Sequence, residues 1–181
     1  GYGELGIVRS TINLFVVFGT AGLGITATRF IARHKKDNTE TVESIIGITT
    51  LFSLVMAIIV TLSVFIFAEN IATNTLNNPT LKQSIRFGSI ILFATILNGV
   101  YNGVNSGFER FKDIAINTFC SSSIEAILII VGAYYWGING AVIGFGIGIF
   151  FLLLFTSLTA RKALAGINGR MSLFKIKKKD L

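Results

Sequence analysis

The sequence predicts an all-α protein, a polytopic bundle of about five membrane-spanning helices. Three observations carry that reading. The 181 residues are 52% hydrophobic and 14% charged, whereas a soluble domain carries about 25% charged residues. Mean hydropathy is +0.72, more apolar surface than a chain of this size can hide from water. The apolar residues also gather in five runs, near 6–28, 44–68, 85–107, 114–136 and 138–160. Each has about 20 residues or more, as a ~30 Å hydrocarbon core requires. Lipid offers no partner to a bare peptide group, so runs of this length must cross as helices.

The first run, through "FGTAGLGITATRFIARHKKDN" at 18–38, is dotted with Gly19, Gly22 and Gly24 and ends in Arg29, Arg33, His34, Lys35 and Lys36. The glycines serve either close packing or a joint that bends. The basic cluster reads as the inner flank that holds the first helix against translocation. After the second run comes a polar stretch, "ENIATNTLNNPTLKQS" at 69–84, with the only proline, which reads as turn and helix start. The third run carries Gly99, Gly103 and Gly107 at four-residue spacing and ends in the charged link "FERFKD" at 108–113, a solvated turn. The fourth and fifth runs are separated only by "WGING" at 136–140, which predicts a tight antiparallel hairpin, with Trp136, Tyr134 and Tyr135 as an interfacial anchor. Gly140, Gly144 and Gly148 repeat the four-residue spacing on the fifth run. Both glycine rows admit two readings, packing inside one bundle or a homodimer face.

Charge placement sets the orientation. Segments 29–43, 108–113 and 161–181 hold 13 of the 16 Lys and Arg, and only Arg9, Lys82 and Arg86 lie on the other side. The positive-inside rule puts the first group in the cytoplasm and 69–84 outside. The transmembrane bundle is expected over 1–162, with 163–181 a basic cytoplasmic tail or a linker. The net charge of +7 does not point to nucleic acid, because the basic residues sit in the gaps between apolar runs with no aromatic interleaving. A lone Cys120 excludes an internal disulfide or a cysteine metal site and reads as a buried structural thiol. No signal peptide is expected. An odd number of spans starting outside leads to the expectation that a further helix precedes Gly1.

Ionisable residues inside a span cost roughly 2.5–3.5 kcal/mol on insertion scales and are candidates for function. Glu125, mid-run in "SSSIEAILII", is a candidate cation or proton site, or else a hydrogen-bonding partner of a neighbouring helix. Arg9, about a turn into the first run, either attracts an anionic group or snorkels to the interface. Arg86 stands at the outer mouth of the third run. Asn13 adds a polar group to the first run, and Asn98, Asn102 and Asn105 form one stripe on the third. That stripe either lines an aqueous path or hydrogen-bonds between helices. No catalytic constellation, phosphate-binding glycine loop or metal-ligand spacing emerges, so neither enzymatic activity nor a cofactor is expected.

Two segments carry a family resemblance. "GYGELGIVRSTINLFVVFGTAGLGITATRFIAR" resembles the second helix of polysaccharide flippases of the O-antigen and teichoic-acid type, in the multidrug/oligosaccharidyl-lipid/polysaccharide (MOP) exporter superfamily, through Gly1, Tyr2, Gly3, Gly22, Leu23, Ala27, Arg29, Ile31 and Ala32. "NGVYNGVNSGFERFK" at 98–112 resembles the end of the family's fourth helix, through Gly107, Glu109 and Arg110. The resemblance covers the whole chain as family helices two to six. It implies part of one lobe of a MATE-like two-lobe transporter of 12 to 14 helices, with the first helix and the second lobe outside this chain. It further implies that a lipid-linked oligosaccharide of the undecaprenyl-pyrophosphate type moves across the cytoplasmic (inner) membrane of a prokaryote for polysaccharide export. Arg9 is the best match to a cavity arginine, with Asn13, Asn102 and Arg86 as further substrate contacts and Glu125 as the ion-coupling group. The competing reading within the superfamily is a multidrug or small-molecule cation-coupled antiporter. An integral-membrane enzyme and a membrane scaffold are further alternatives of other classes. Membrane lipid is an expected partner; nucleic acid is not.

Overall fold

The computed structural model describes residues 2–20, 22–36 and 39–167. Its helices are α1 (Tyr2–Thr20), α2 (Leu23–His34), α3 (Thr39–Asn70), α4 (Lys82–Gly107) and α5 (Phe111–Ala165). No strand occurs among the described residues, so the fold is an all-α bundle. Three helical stretches, Thr39–Thr75, Pro79–Gly107 and Phe111–Ala165, are long and apolar enough to cross a membrane. Their outward faces are apolar, as on α3 at Phe52, Ile59, Leu62 and Ile66. Lipid, not water, suits such a face.

The expected first span, 6–28, is not one helix. Gly22 adopts φ +72°, a left-handed conformation that glycine takes without steric cost, and the helix breaks there. The apolar part of α1, Gly6–Val17, is shorter than the three long stretches, and α2 continues α1 beyond the break in the same direction. Their neighbours step evenly along α4: Ile12 lies at Gly88, Gly19 at Ile96, Gly24 at Gly99 and Ile31 at Gly107. The break therefore does not turn the chain back. The expected loop 29–43 is also largely helix, because α2 runs to His34 and α3 starts at Thr39.

The polar stretch 69–84 is more ordered than an open loop. After α3 the chain widens into one π turn at Ile71–Thr75 and then tightens into a 3₁₀ turn at Pro79–Leu81 before α4. Asn78 caps that turn by accepting a hydrogen bond from the Thr80 backbone N–H, and Pro79 occupies the first turn, where its missing N–H costs nothing. The helix α5 is itself a hairpin. Trp136 (φ −130°, ψ 16°) and Gly137 (φ 60°, ψ −139°) reverse the chain between an arm at 111–135 and an arm at 138–165. Gly140 lies on Gly132, Gly144 on Leu128 and Gly148 on Glu125, the register of two antiparallel arms.

Helix α4 is the centre, packed against α1, α2, α3 and α5. The two glycine rows serve this one bundle. A methyl at Gly103 would overlap the backbone of Gly24, one at Gly107 would meet Ile31, and one at Gly144 would overlap the Leu128 backbone. Thr28 Oγ1 also donates to the Gly103 carbonyl at 2.9 Å. Two apolar clusters result. One gathers Val8, Ile12, Ile85, Leu92 and Phe145, and the other Ile31, Ile46, Val100, Val104 and Leu164. Cys120 departs from the sequence expectation, lying exposed on the outer face of α5 instead of buried.

The ends of the bundle are defined by contacts. Lys35 Nζ lies 3.0 Å from Glu109 Oε1, and Thr39 Oγ1 donates to the Ile167 carbonyl, so the basic cluster, the 108–113 link and the end of α5 share one end. Ser84 Oγ donates to Asn139 Oδ1 at 2.8 Å, which brings the 71–82 turns and the α5 reversal together at the other. The basic residues beyond position 167, and the orientation expected for that tail, lie outside the described residues.

Candidate functional site

The site is built where three helical segments meet. Arg9 comes from α1, Glu125 from the first arm of α5 and Phe145 from its second arm. The Arg9 guanidinium nitrogen Nη2 lies 3.4 Å from Glu125 Oε1, and its carbon stands over the Phe145 ring, 4.7 Å from the centroid. Glu125 is about 11 residues from the reversal at Trp136, or ~16 Å at 1.5 Å per residue. That is about half of a ~30 Å hydrocarbon core. A charge pair is the physically expected way to hold either group at such depth, because each lowers the insertion cost of the other.

The two partners are unequally enclosed. The Glu125 side chain is 14% exposed and that of Arg9 52%. Gly148 accounts for the enclosure of Glu125, since any side chain there would overlap the Glu125 Cβ. A guanidinium has five N–H donors, and this single long contact leaves most of them open on the exposed side. Glu125 and the Phe145 ring together fix the orientation of Arg9, with the ring adding a cation–π attraction of roughly 0.5–2 kcal/mol. The arrangement can thus present a fixed positive group to an anion, next to a carboxylate that can exchange its partner.

Arg9 and Glu125, chosen separately from the sequence, meet here. Asn13 lies one turn along α1 from Arg9, exposed and without a hydrogen bond among the described residues. The asparagine stripe on α4 divides. Asn98 Oδ1 accepts from Thr156 Oγ1 at 2.7 Å, and buried Asn105 donates to the Thr156 carbonyl at 3.0 Å. These two bridge α4 to α5, whereas Asn102 is exposed. Arg86 belongs to a different cavity, its guanidinium 5.5 Å from the Phe65 ring centroid. Phe145, Gly148 and Thr156 were missed as site or network residues. Gly148 had only a partial signal, its place in the 140–144–148 row, because a turn centred on 136–140 would set it opposite 128; the observed reversal at Trp136–Gly137 sets it opposite Glu125. Phe145 and Thr156 had none. No group of three or more His, Cys, Asp or Glu able to hold a metal occurs among the described residues.

An all-α bundle with lipid-compatible faces and three helical stretches long and apolar enough to cross a bilayer has the make-up of a polytopic membrane protein. The family model described as "Polysaccharide biosynthesis protein" matches residues 1–180, and the chain belongs to that family, the polysaccharide and O-antigen flippases of the MOP superfamily. Its members are transporters rather than catalysts. No curated protein matches, and no solved structure matches.

Proposed function

We propose that this protein takes part in moving a lipid-linked oligosaccharide, of the undecaprenyl-pyrophosphate type, from the inner to the outer leaflet of a prokaryotic cytoplasmic membrane. The observation that carries the reading is the Arg9–Glu125 pair on Phe145. A headgroup bearing sugar and phosphate cannot cross hydrocarbon unaided, and it needs positive charge at mid-depth to replace its hydration. Arg9 is the phosphate contact in this reading, with Asn13 beside it as a sugar or phosphate partner. Glu125 is the ion-coupling group: when a phosphate takes over the guanidinium, the carboxylate is released to take a proton or cation. The cationic cluster of 29–36 faces the cytoplasm and the 71–82 turns face outside.

The test uses the complete protein in its own cells, with surface glycan and protein level measured together. Arg9→Ala should lower export by about 10–100-fold, the loss of one charge-assisted contact of roughly 1.5–3 kcal/mol. Arg9→Lys should keep part of it, since lysine retains charge without the planar fork. Glu125→Gln, which keeps shape and loses the titrating group, should also cripple export. Full surface glycan in Arg9→Ala at normal protein level would refute the assignment.

A further inference from the structure

At the end of the bundle that carries the 71–82 turns, a cavity of about 620 Å³ opens between α3 and α4, lined by Thr80, Lys82, Gln83, Arg86, Phe65 and Ile90 among others. Its chemistry changes with depth. Lys82, Gln83 and Arg86 occupy the outer two turns of α4, and Phe87 and Ile90 the next. Lys82 to Ile90 spans about 12 Å along the helix. A second, wholly apolar hollow of about 170 Å³ continues from there, sharing Phe87 and Ile90 and adding Ile143, Ile147 and Phe150. Ile90, Ile143, Ile147 and Phe150 are all exposed to the surroundings of the bundle. Together the two hollows form a groove with a cationic head at the depth where the apolar runs stop and a greasy channel leading inward.

The charge of the head selects its occupant. Lys82 Nζ is 2.6 Å from Glu69 Oε2, while Arg86 has no carboxylate at ion-pair distance among the described residues and rests on Phe65. Two cations and one carboxylate leave a net charge of one positive. We infer that this groove is a binding site for an anionic glycerophospholipid, its single phosphodiester charge at Arg86 and Lys82 and one acyl chain along Phe87, Ile90 and Ile147. A diphosphate, with at least two negative charges, would face the Glu69 carboxylate. The site is separate from the Arg9–Glu125 centre and stands whether or not the transport reading holds.

The test is native mass spectrometry of the purified, delipidated protein, titrated with phosphatidylglycerol, phosphatidylcholine or a polyprenyl diphosphate. Phosphatidylglycerol should fill one saturable site on the order of tenfold more tightly than phosphatidylcholine, whose phosphodiester is the same but whose trimethylammonium is disfavoured by a head of net positive charge, a difference of about 1.4 kcal/mol. Arg86→Ala should remove that preference at an unchanged melting temperature. Ile147→Trp should weaken long-chain phosphatidylglycerol but not a dihexanoyl form. Glu69→Gln, by raising the net charge of the head, should admit the diphosphate. Equal affinity for the two phospholipids, or a preference that survives Arg86→Ala, would overturn the site. Displacement of phosphatidylglycerol by the diphosphate in the parent protein would overturn the choice of occupant, and long-chain binding that survives Ile147→Trp would overturn the placement of the chain.

Discussion

Gly103→Ala is the smallest change that tests how this bundle is held. The added methyl would lie 2.6 Å from the Gly24 Cα and 2.7 Å from its carbonyl carbon, and closer still to the oxygen. These are backbone atoms of a neighbouring helix, so no side chain can swing aside. Restoring an ordinary contact of 3.4 Å at Cα requires α2 and α4 to part by at least about 0.8 Å locally, more to clear the oxygen, and overpacking of this kind costs about 1–3 kcal/mol. The parting also weakens the Thr28–Gly103 hydrogen bond, worth about 0.6 kcal/mol within a membrane. Together that is roughly 1.5–3.5 kcal/mol, or a fall of about 3–14 °C in melting temperature for a chain of this size. Gly6→Ala is the matched control, since a methyl there has nothing within 4 Å and gains up to about 1 kcal/mol of helix propensity. Melting followed by loss of the monodisperse species in detergent would separate the two. A Gly103→Ala protein as stable as Gly6→Ala would refute close backbone contact between α2 and α4.

Two further outcomes are expected, one from charge placement and one from the structure. Single cysteines at Lys36 and Thr75, in a background lacking Cys120, should respond oppositely to an impermeant thiol reagent on intact cells. Position 75 should label and position 36 should not, and the reverse would invert the proposed topology. The Arg9–Glu125 contact should show coupling: Arg9→Ala and Glu125→Ala together should cost about 0.5–3 kcal/mol less than the sum of the singles, and strict additivity of melting shifts would show that the two groups do not interact.

The fold was legible where the signal was local. The reversal at Trp136–Gly137 follows from five residues, "WGING", between two apolar runs too long to be one span. The end of α4 at Gly107 follows from the charged link behind it. The break at Gly22 was only half legible. Three glycines close together announced either packing or a joint, and the structure uses Gly22 for the break and Gly19 and Gly24 for packing. Nothing in the local sequence separates those roles, because each is decided by what α4 places opposite: Ile96, Gly99 and Gly103. The reading of Cys120 failed for a related reason. Burial of a small apolar residue in a soluble core is driven by water, but in lipid an outward thiol costs nothing, so composition alone does not turn it inward.

The candidate site shows the limit more sharply. Arg9 and Glu125 were each conspicuous, because a charge in an apolar run is costly wherever it occurs. Their pairing was not, since 116 residues separate them and no periodicity spans two helices. Part of it could nonetheless have been worked out. Once the reversal is fixed at Trp136–Gly137, the hairpin register sets Glu125 against Gly148, and the glycine row 140–144–148 lets the arms lie that close. The face of the first arm that carries Glu125 is then partly closed by the second, which leaves α1 to supply the counter-charge. Arg9 is the only basic residue in that run before the cluster at 29–36, and the pair gives each charge a partner within the apolar runs. Arg86 stands apart from that pair: it is exposed, rests on the Phe65 ring and has no carboxylate at ion-pair distance among the described residues.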